Sequence, residues 1–243
     1  MSETVFGEDC FSKSSQDIYL QVVSENKVKQ QMAVIDDHNI PTGIHSRGVA
    51  QMVSEYIEEG IVDLDPSHSE AIIRSTLLHD IGKLSISNSI LDKPGSLNRH
   101  EWLEIQTHPV DGFHRYAIDF NAYEALPVLM HHIFQGKNYP TSKEQKQAIS
   151  IHGLEQSVLD EEEVLIHALM VAVADHFEAR YPIADPKSPL SGIRSYTNRN
   201  YSVNALSLLV EASFVEAGKV DQLDLNSVLD KLIECSQEVL LKK

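Results

Sequence analysis

The chain is short of several things at once, and each shortage removes a class of protein. Its 243 residues include only two cysteines, Cys10 and Cys235, which lie near opposite ends. A pair so placed is neither a disulfide framework nor a zinc motif. Basic residues are scarce: 20 lysines and arginines face 36 aspartates and glutamates, for a formal net charge of −16. Proteins that hold long nucleic acid by its backbone need lysine and arginine stripes, so no such partner is expected. No apolar run approaches the roughly 18 residues of a membrane span, and no membrane partner is expected either. The start, Met1-Ser2-Glu3-Thr4-Val5, has neither the basic residues nor the apolar stretch of a secretory signal, and a cytoplasmic location is expected. Internal repeats, heptad arrays and low-complexity tracts are missing too.

Strand-like alternation is also nearly absent, and helical periodicity takes its place, so the expected fold is all-α. At this length one good-sized core can be buried. A polar leader precedes a short helix at about 18–28. From His45 onward Val49, Met52, Val53, Tyr56 and Ile57 share one face, with Gly60 as a stop. Asp65-Pro66 caps a helix expected to run through Ile72, Ile73 and Leu77 to His79-Asp80, with Gly82 marking its end. Leu91-Asp92-Lys93-Pro94-Gly95 reads as a turn, and Asn98 with Glu101 opens a helix through Trp102 and Ile105 to His108. A helix at about 122–133 carries His131 and His132. Residues 136–159 read as a long polar loop, of the kind that usually serves function. Asp160 with Glu163 then opens a helix that delivers Asp175. Amphipathic segments at about 201–217 and 225–241 complete the chain.

Seven oxygen and nitrogen donors stand out: His45, His79, Asp80, His108, His131, His132 and Asp175. Singly, a histidine at a helix end is more often a cap or a satisfied surface residue. His38, His68, His100, His114, His152, His167 and His176, with no positional argument behind them, are read as structural. Adjacent helical residues point about 100° apart, so His131-His132 and His79-Asp80 each suit two neighbouring ions better than one. Asp80 can bridge such a pair while His79 binds one ion. Two ions clamp a phosphate and lower the pKa of a water between them. Five imidazoles and two carboxylates, with no thiolate, suit iron or manganese, although mixed nitrogen and oxygen sites also take zinc or nickel. Lys83, just after the pair, reads as a phosphate contact.

The order and context of these residues resemble the HD superfamily of metal-dependent phosphohydrolases, and within it the HD-GYP phosphodiesterases. The resemblance runs from about 41 to 209. It includes Thr42-Gly43-Ile44-His45-Ser46-Arg47-Gly48-Val49, Leu78-His79-Asp80-Ile81-Gly82-Lys83, Ile90-Leu91-Asp92-Lys93-Pro94-Gly95-Ser96-Leu97, His108-Pro109, His131-His132 and Ala172-Val173-Ala174-Asp175. It implies a helical bundle with a dinuclear site between helices, in a domain spanning 36–243 after a leader of 1–35. His45, His79, Asp80 and Asp175 would hold one ion, and Asp80 would bridge to a second held by His108, His131 and His132. The implied activity is hydrolysis of cyclic di-GMP or a related cyclic dinucleotide to its linear form, with Asp80 and Lys83 in the catalytic machinery. Hydrolysis of another nucleotide, or a non-catalytic signalling role, are the alternatives.

Three departures bear on the substrate wall. Pro41 stands four residues before His45, where trinuclear members carry a glutamate, so a third ion is not expected. The loop after the paired histidines reads Ile133-Phe134-Gln135-Gly136-Lys137-Asn138-Tyr139-Pro140, one residue short of the family's, with asparagine for a glycine. The family's Arg-Pro-Tyr-Arg segment is represented by Arg194-Ser195-Tyr196-Thr197. Lys83, Arg194 and Tyr139 are the expected substrate contacts.

Overall fold

Among the residues that the computed structural model describes (14–62, 64–134, 139–180, 214 and 225–241), every regular element is helical and none is a strand. The order is α1 (Ser15–Ser24), α2 (Asn26–His38), α3 (Ile40–Glu58), α4 (Pro66–Leu77), a 3-10 turn (Ile81–Ser85), α5 (Asn88–Leu91), α6 (Arg99–Ile105), α7 (His108–Asp119), α8 (Leu126–Met130), α9 (Ser142–Ile151), a second 3-10 turn (Gln156–Asp160), α10 (Glu162–Arg180) and α11 (Asn226–Leu241).

The centre of the bundle is α10. Residues 168–174 on it are fully buried, which requires a helix apolar on every side. It packs against α3, α8 and α11, while α3 also packs against α1, α2 and α4. Val49, Met52, Val53 and Tyr56, which form the expected α3 stripe, are all fully buried. Replacing Met52 by alanine costs about 2–5 kcal/mol.

The helix ends differ from the sequence expectation in ways that matter for the site. The short helix expected at 18–28 is two helices, broken at Glu25, whose carboxylate takes Arg74 at 2.8 and 2.9 Å. Ile18, Tyr19, Val22, Val28, Met32 and Ile35 belong to the common core, and α2 runs across the expected boundary between 35 and 36. Helix α3 starts earlier than expected: Asn39 accepts from the Thr42 amide at 3.0 Å, and Pro41 fits the first turn, where no amide hydrogen is needed. Helix α4 stops at Leu77, so His79 and Asp80 lie in the turn beyond it. The expected helix running into His108 is two helices, and α7 begins at His108 with Pro109 in its first turn. The helix expected at about 122–133 is regular only over Leu126–Met130, with turns on either side. The expected polar loop contains α9, opened by a capping box between Thr141 and Glu144. Its buried face is only Gln145, Ala148 and Ile149, too little to stand out in a polar stretch. The segment expected at 201–217 lies outside the described residues apart from Phe214.

Candidate metal centre

The helix breaks place the donors. Gly82 is the hinge: a Cβ there would lie 1.9 Å from the His108 carbonyl oxygen. Its role is therefore close approach rather than the helix stop expected from sequence. The contact presses the turn after α4 against the first turn of α7 and brings Asp80 to His108. On the opposite side, a Cβ on Gly48 would lie 2.7 Å from Cγ of Glu178. The missing side chain on α3 makes room for Glu178 of α10 beside His45.

All seven expected donors converge and all are buried, none more than 9% exposed. Three groups have ligand atoms within 4.8 Å of one another: His45, His79 and Asp175; His79, Asp80 and His131; and His108, His131 and His132. Asp80 lies between them. Its Oδ2 is 3.5 Å from Nε2 of His79 and 3.8 Å from Nε2 of His45, while its Oδ1 is 3.4 Å from Nε2 of His108. One carboxylate thus turns an oxygen to each side. Lys83 donates to Oδ2 at 2.5 Å. Burial opposes the charge on Asp80, but Lys83 and the surrounding imidazoles outweigh it and hold the group ionised, well below the usual carboxylate range.

The backbone sets three of the imidazole tautomers. Nδ1 of His79, His108 and His131 lies 2.8, 2.7 and 2.7 Å from the carbonyl oxygens of Thr76, Ile105 and Val128. A carbonyl only accepts, so each Nδ1 carries the proton and donates. Burial, the leading cause in each case, lowers the pKa of all three, so the rings are neutral and each Nε2 is a bare lone pair. Yet Nε2 of His108 and Nε2 of His131 face each other at 3.2 Å, and Nε2 of His79 is buried without a hydrogen-bond partner. Two bare acceptors at hydrogen-bond distance have nothing to share except a cation. This donor set fits a metal ion.

His45 is held differently. Its Nδ1 faces Oε2 of Glu178 in a very short contact, and its Nε2 faces Oδ1 of Asp175 at 2.8 Å. Burial works against protonation here too, but the hydrogen bonds to Asp175 and Glu178 overcome it and push His45 up to about 9. Glu178, fully buried, escaped the sequence reading. Its signal was spacing: Asp175 and Glu178, three apart on α10, face His45 and Gly48, three apart on α3.

A cleft of about 700 Å³ opens onto His45, Asp175 and Lys83, with Asn39, Pro41, Lys93 and Leu97 among its walls. Tyr139 sits elsewhere. It is 7% exposed and stacks on His132, with ring centroids 4.5 Å apart. Arg194 lies outside the described residues.

A model of the HD domain family matches residues 42–180, more than half of the chain and the whole of the donor set. The chain belongs to the HD domain family. Relatives of this HD chain include a 3'3'-cGAMP-specific phosphodiesterase 1 from Vibrio cholerae, 27% identical over 209 residues, which cover 84% of this chain and 40% of the relative. A cyclic di-GMP phosphodiesterase from Thermotoga maritima is 35% identical over 117 residues, or 45% of this chain and 27% of the relative. The matches thus span less than half the length of these curated relatives. The fold matches the HD domain of an L. monocytogenes phosphodiesterase, solved with cyclic-di-AMP, at TM-score 0.50 and 14% identity, covering 87% of this chain and 94% of that one. At that identity the likeness speaks for the helical fold. Among the described residues, no helix is long and apolar enough to cross a membrane.

Proposed function

We propose that this chain is a metal-dependent phosphodiesterase that opens a cyclic dinucleotide to its linear form. The observation that carries the reading is Asp80, which presents one oxygen to the His45 and His79 side and the other to His108, beside His79, His108 and His131, whose bare Nε2 atoms face inward. Two divalent ions, iron or manganese by donor class, would be held there: one by His45, His79 and Asp175, the other by His108, His131 and His132, with Asp80 between them. When bound, such a pair supplies Lewis acidity toward a phosphoryl oxygen and acidifies water.

The chain's own residues do the rest. Lys83 keeps Asp80 ionised and lies on the cleft wall, where its ammonium can meet a phosphate. Glu178 holds the proton on Nδ1 of His45 and so fixes which nitrogen faces the centre. The net charge of −16 does not repel a small anion from this cleft, because distant surface charges are screened over roughly 8 Å and local groups dominate. The side chain of Pro41 on the cleft wall has no oxygen to offer a third ion, which supports a single cut. The relatives named for cyclic di-GMP and 3'3'-cGAMP hydrolysis support this substrate class.

The test is elemental analysis of purified protein together with turnover of cyclic di-GMP, 3'3'-cGAMP and cyclic di-AMP. About two ions per chain and linear product from at least one of these are expected. Absence of turnover from the fully loaded protein would refute the reading.

A further inference from the structure

A second group of histidines lies well away from this centre. A cleft of about 250 Å³ opens between the first turns of α4, the segment leading into α8 and the first turns of α10, and His68, Glu163 and His167 all line it. His167 and Asp175 are eight residues apart on α10, about 12 Å along the helix axis. Glu163 and His167, four residues apart, lie on one face of that helix.

His68 comes from α4 and its ring is backed by a carboxylate. Its Nδ1 lies 2.8 Å from Oδ2 of Asp65, which leaves Nε2 turned toward Oε1 of Glu163 at 3.7 Å. A carboxylate behind an imidazole, with the far nitrogen facing another donor, is the arrangement that supports a metal-bound histidine. Nε2 of His167 is sealed from solvent and has no hydrogen-bond partner. Burial, reinforced by His68, lowers this ring to about 4, so it is neutral near pH 7 and has a lone pair to give. The three ligand atoms are not gathered within 4.8 Å of one another as those of the main centre are, and the side chains of His68 and Glu163, each about half exposed, can swing to complete the set.

We propose that His68, Glu163 and His167 form a separate site for a divalent transition-metal ion, zinc by donor class, that ties the start of α4 to the start of α10. Two imidazoles and a carboxylate, with room for water in the fourth position, make a common zinc donor set. The consequence is architectural: α4 leads into His79 and Asp80, and α10 carries Asp175 and Glu178, so one ion would fix the spacing of two helices that build the main centre. The site stands independently of the activity proposed above.

The experiment counts total metal per chain by elemental analysis after the protein, with its resident ions quantified, is dialysed against a buffer of set free zinc. Total metal is the readout because zinc that merely exchanges into the main centre leaves it unchanged. One extra ion is expected in the wild-type chain and in Asp80→Asn, and none in His68→Gln or His167→Gln. His68 is exposed, so its variant decides the matter if His167→Gln fails to fold. Asp65→Asn still caps α4 but loses the carboxylate behind His68, and zinc affinity should fall about 10–100-fold. No extra ion in the wild-type chain, or an extra ion that persists in both histidine variants, overturns the proposal.

Discussion

The two halves of the centre hold their leading histidines by opposite means. Around His108 and His131 the orienting groups are backbone carbonyls, the rings are neutral, and burial pushes their pKa values down. Around His45 the orienting groups are the carboxylates of Asp175 and Glu178, and the ring is pushed up to about 9. A cation entering the first half meets lone pairs already bare. In the second half it must displace a proton from Nε2 of His45, but it gains a more basic ligand and a second negative charge. The first half should load easily at any pH near neutral, and the second should be the pH-sensitive one.

The largest effect should come from the residue shared by both halves. Asp80→Ala removes the carboxylate that turns one oxygen to each side and unpairs Lys83. Turnover of a cyclic dinucleotide should fall by about a hundredfold to a thousandfold, the scale seen when a preorganised electrostatic group is lost. The circular dichroism spectrum should stay helical, because the packing of α3, α4 and α10 does not depend on it. Near-normal turnover by the folded variant would remove Asp80 from the bridging role.

Glu178→Gln tests the second half alone. The glutamine can still accept from Nδ1 of His45 but no longer supplies charge. Metal affinity of that half, measured at pH 9, should drop by about 10–100-fold, while one ion per chain stays bound at the His108 half. Equal loss from both halves would show that the two are not separable.

Which parts of this contrast could be seen in the sequence follows from what each part depends on. The seven donors are written in short motifs on helices or in the turns just beyond them, and all seven converge. The all-α fold follows from the same periodicity, as the buried stripe of α3 shows. Glu178 was hidden because its meaning depends on Gly48, which lies 130 residues away and matters only for lacking a side chain. Gly82 was visible, but its reason was not: a close approach to the His108 carbonyl is a tertiary fact, whereas a helix stop is a local one. Helix α9 was missed because a capping box at Thr141 and Glu144 opens a helix with only three buried residues. Helix boundaries at 77 and 108 shifted because packing, more than propensity, ends a helix.

The pH dependence gives an effect that is modest over any single pH unit. His45 carries its second proton below about 9, and the cation must displace it. Apparent affinity of the His45 half should therefore rise about tenfold per pH unit as pH increases from 6 toward 9, the slope for one released proton, and level off above. The His108 half should stay nearly flat from 6 to 9, because burial keeps His108 and His131 neutral throughout. Direct titration with manganese at several pH values reads both slopes. Parallel slopes would mean that the carboxylates do not set the difference.

The smallest effect concerns how His132 is held. It has neither a carbonyl nor a carboxylate on Nδ1, which is buried without a partner. What fixes the ring is packing: Tyr139 stacks on it at 27°, and Trp102 meets Tyr139 edge-on with centroids 6.3 Å apart. The part of Tyr139 that matters on this view is its face. Tyr139→Phe keeps the face and should change turnover by less than about twofold, within the range expected when no buried hydrogen bond is broken. Tyr139→Ala removes the wall and should reduce both metal content at the His108 half and turnover, since a ligand ring free to rotate binds less tightly. If Tyr139→Phe instead lowers turnover tenfold or more with metal content unchanged, the phenolic hydroxyl contacts the substrate, the role that the resemblance at Tyr139-Pro140 implied, and packing is only half of what this residue does.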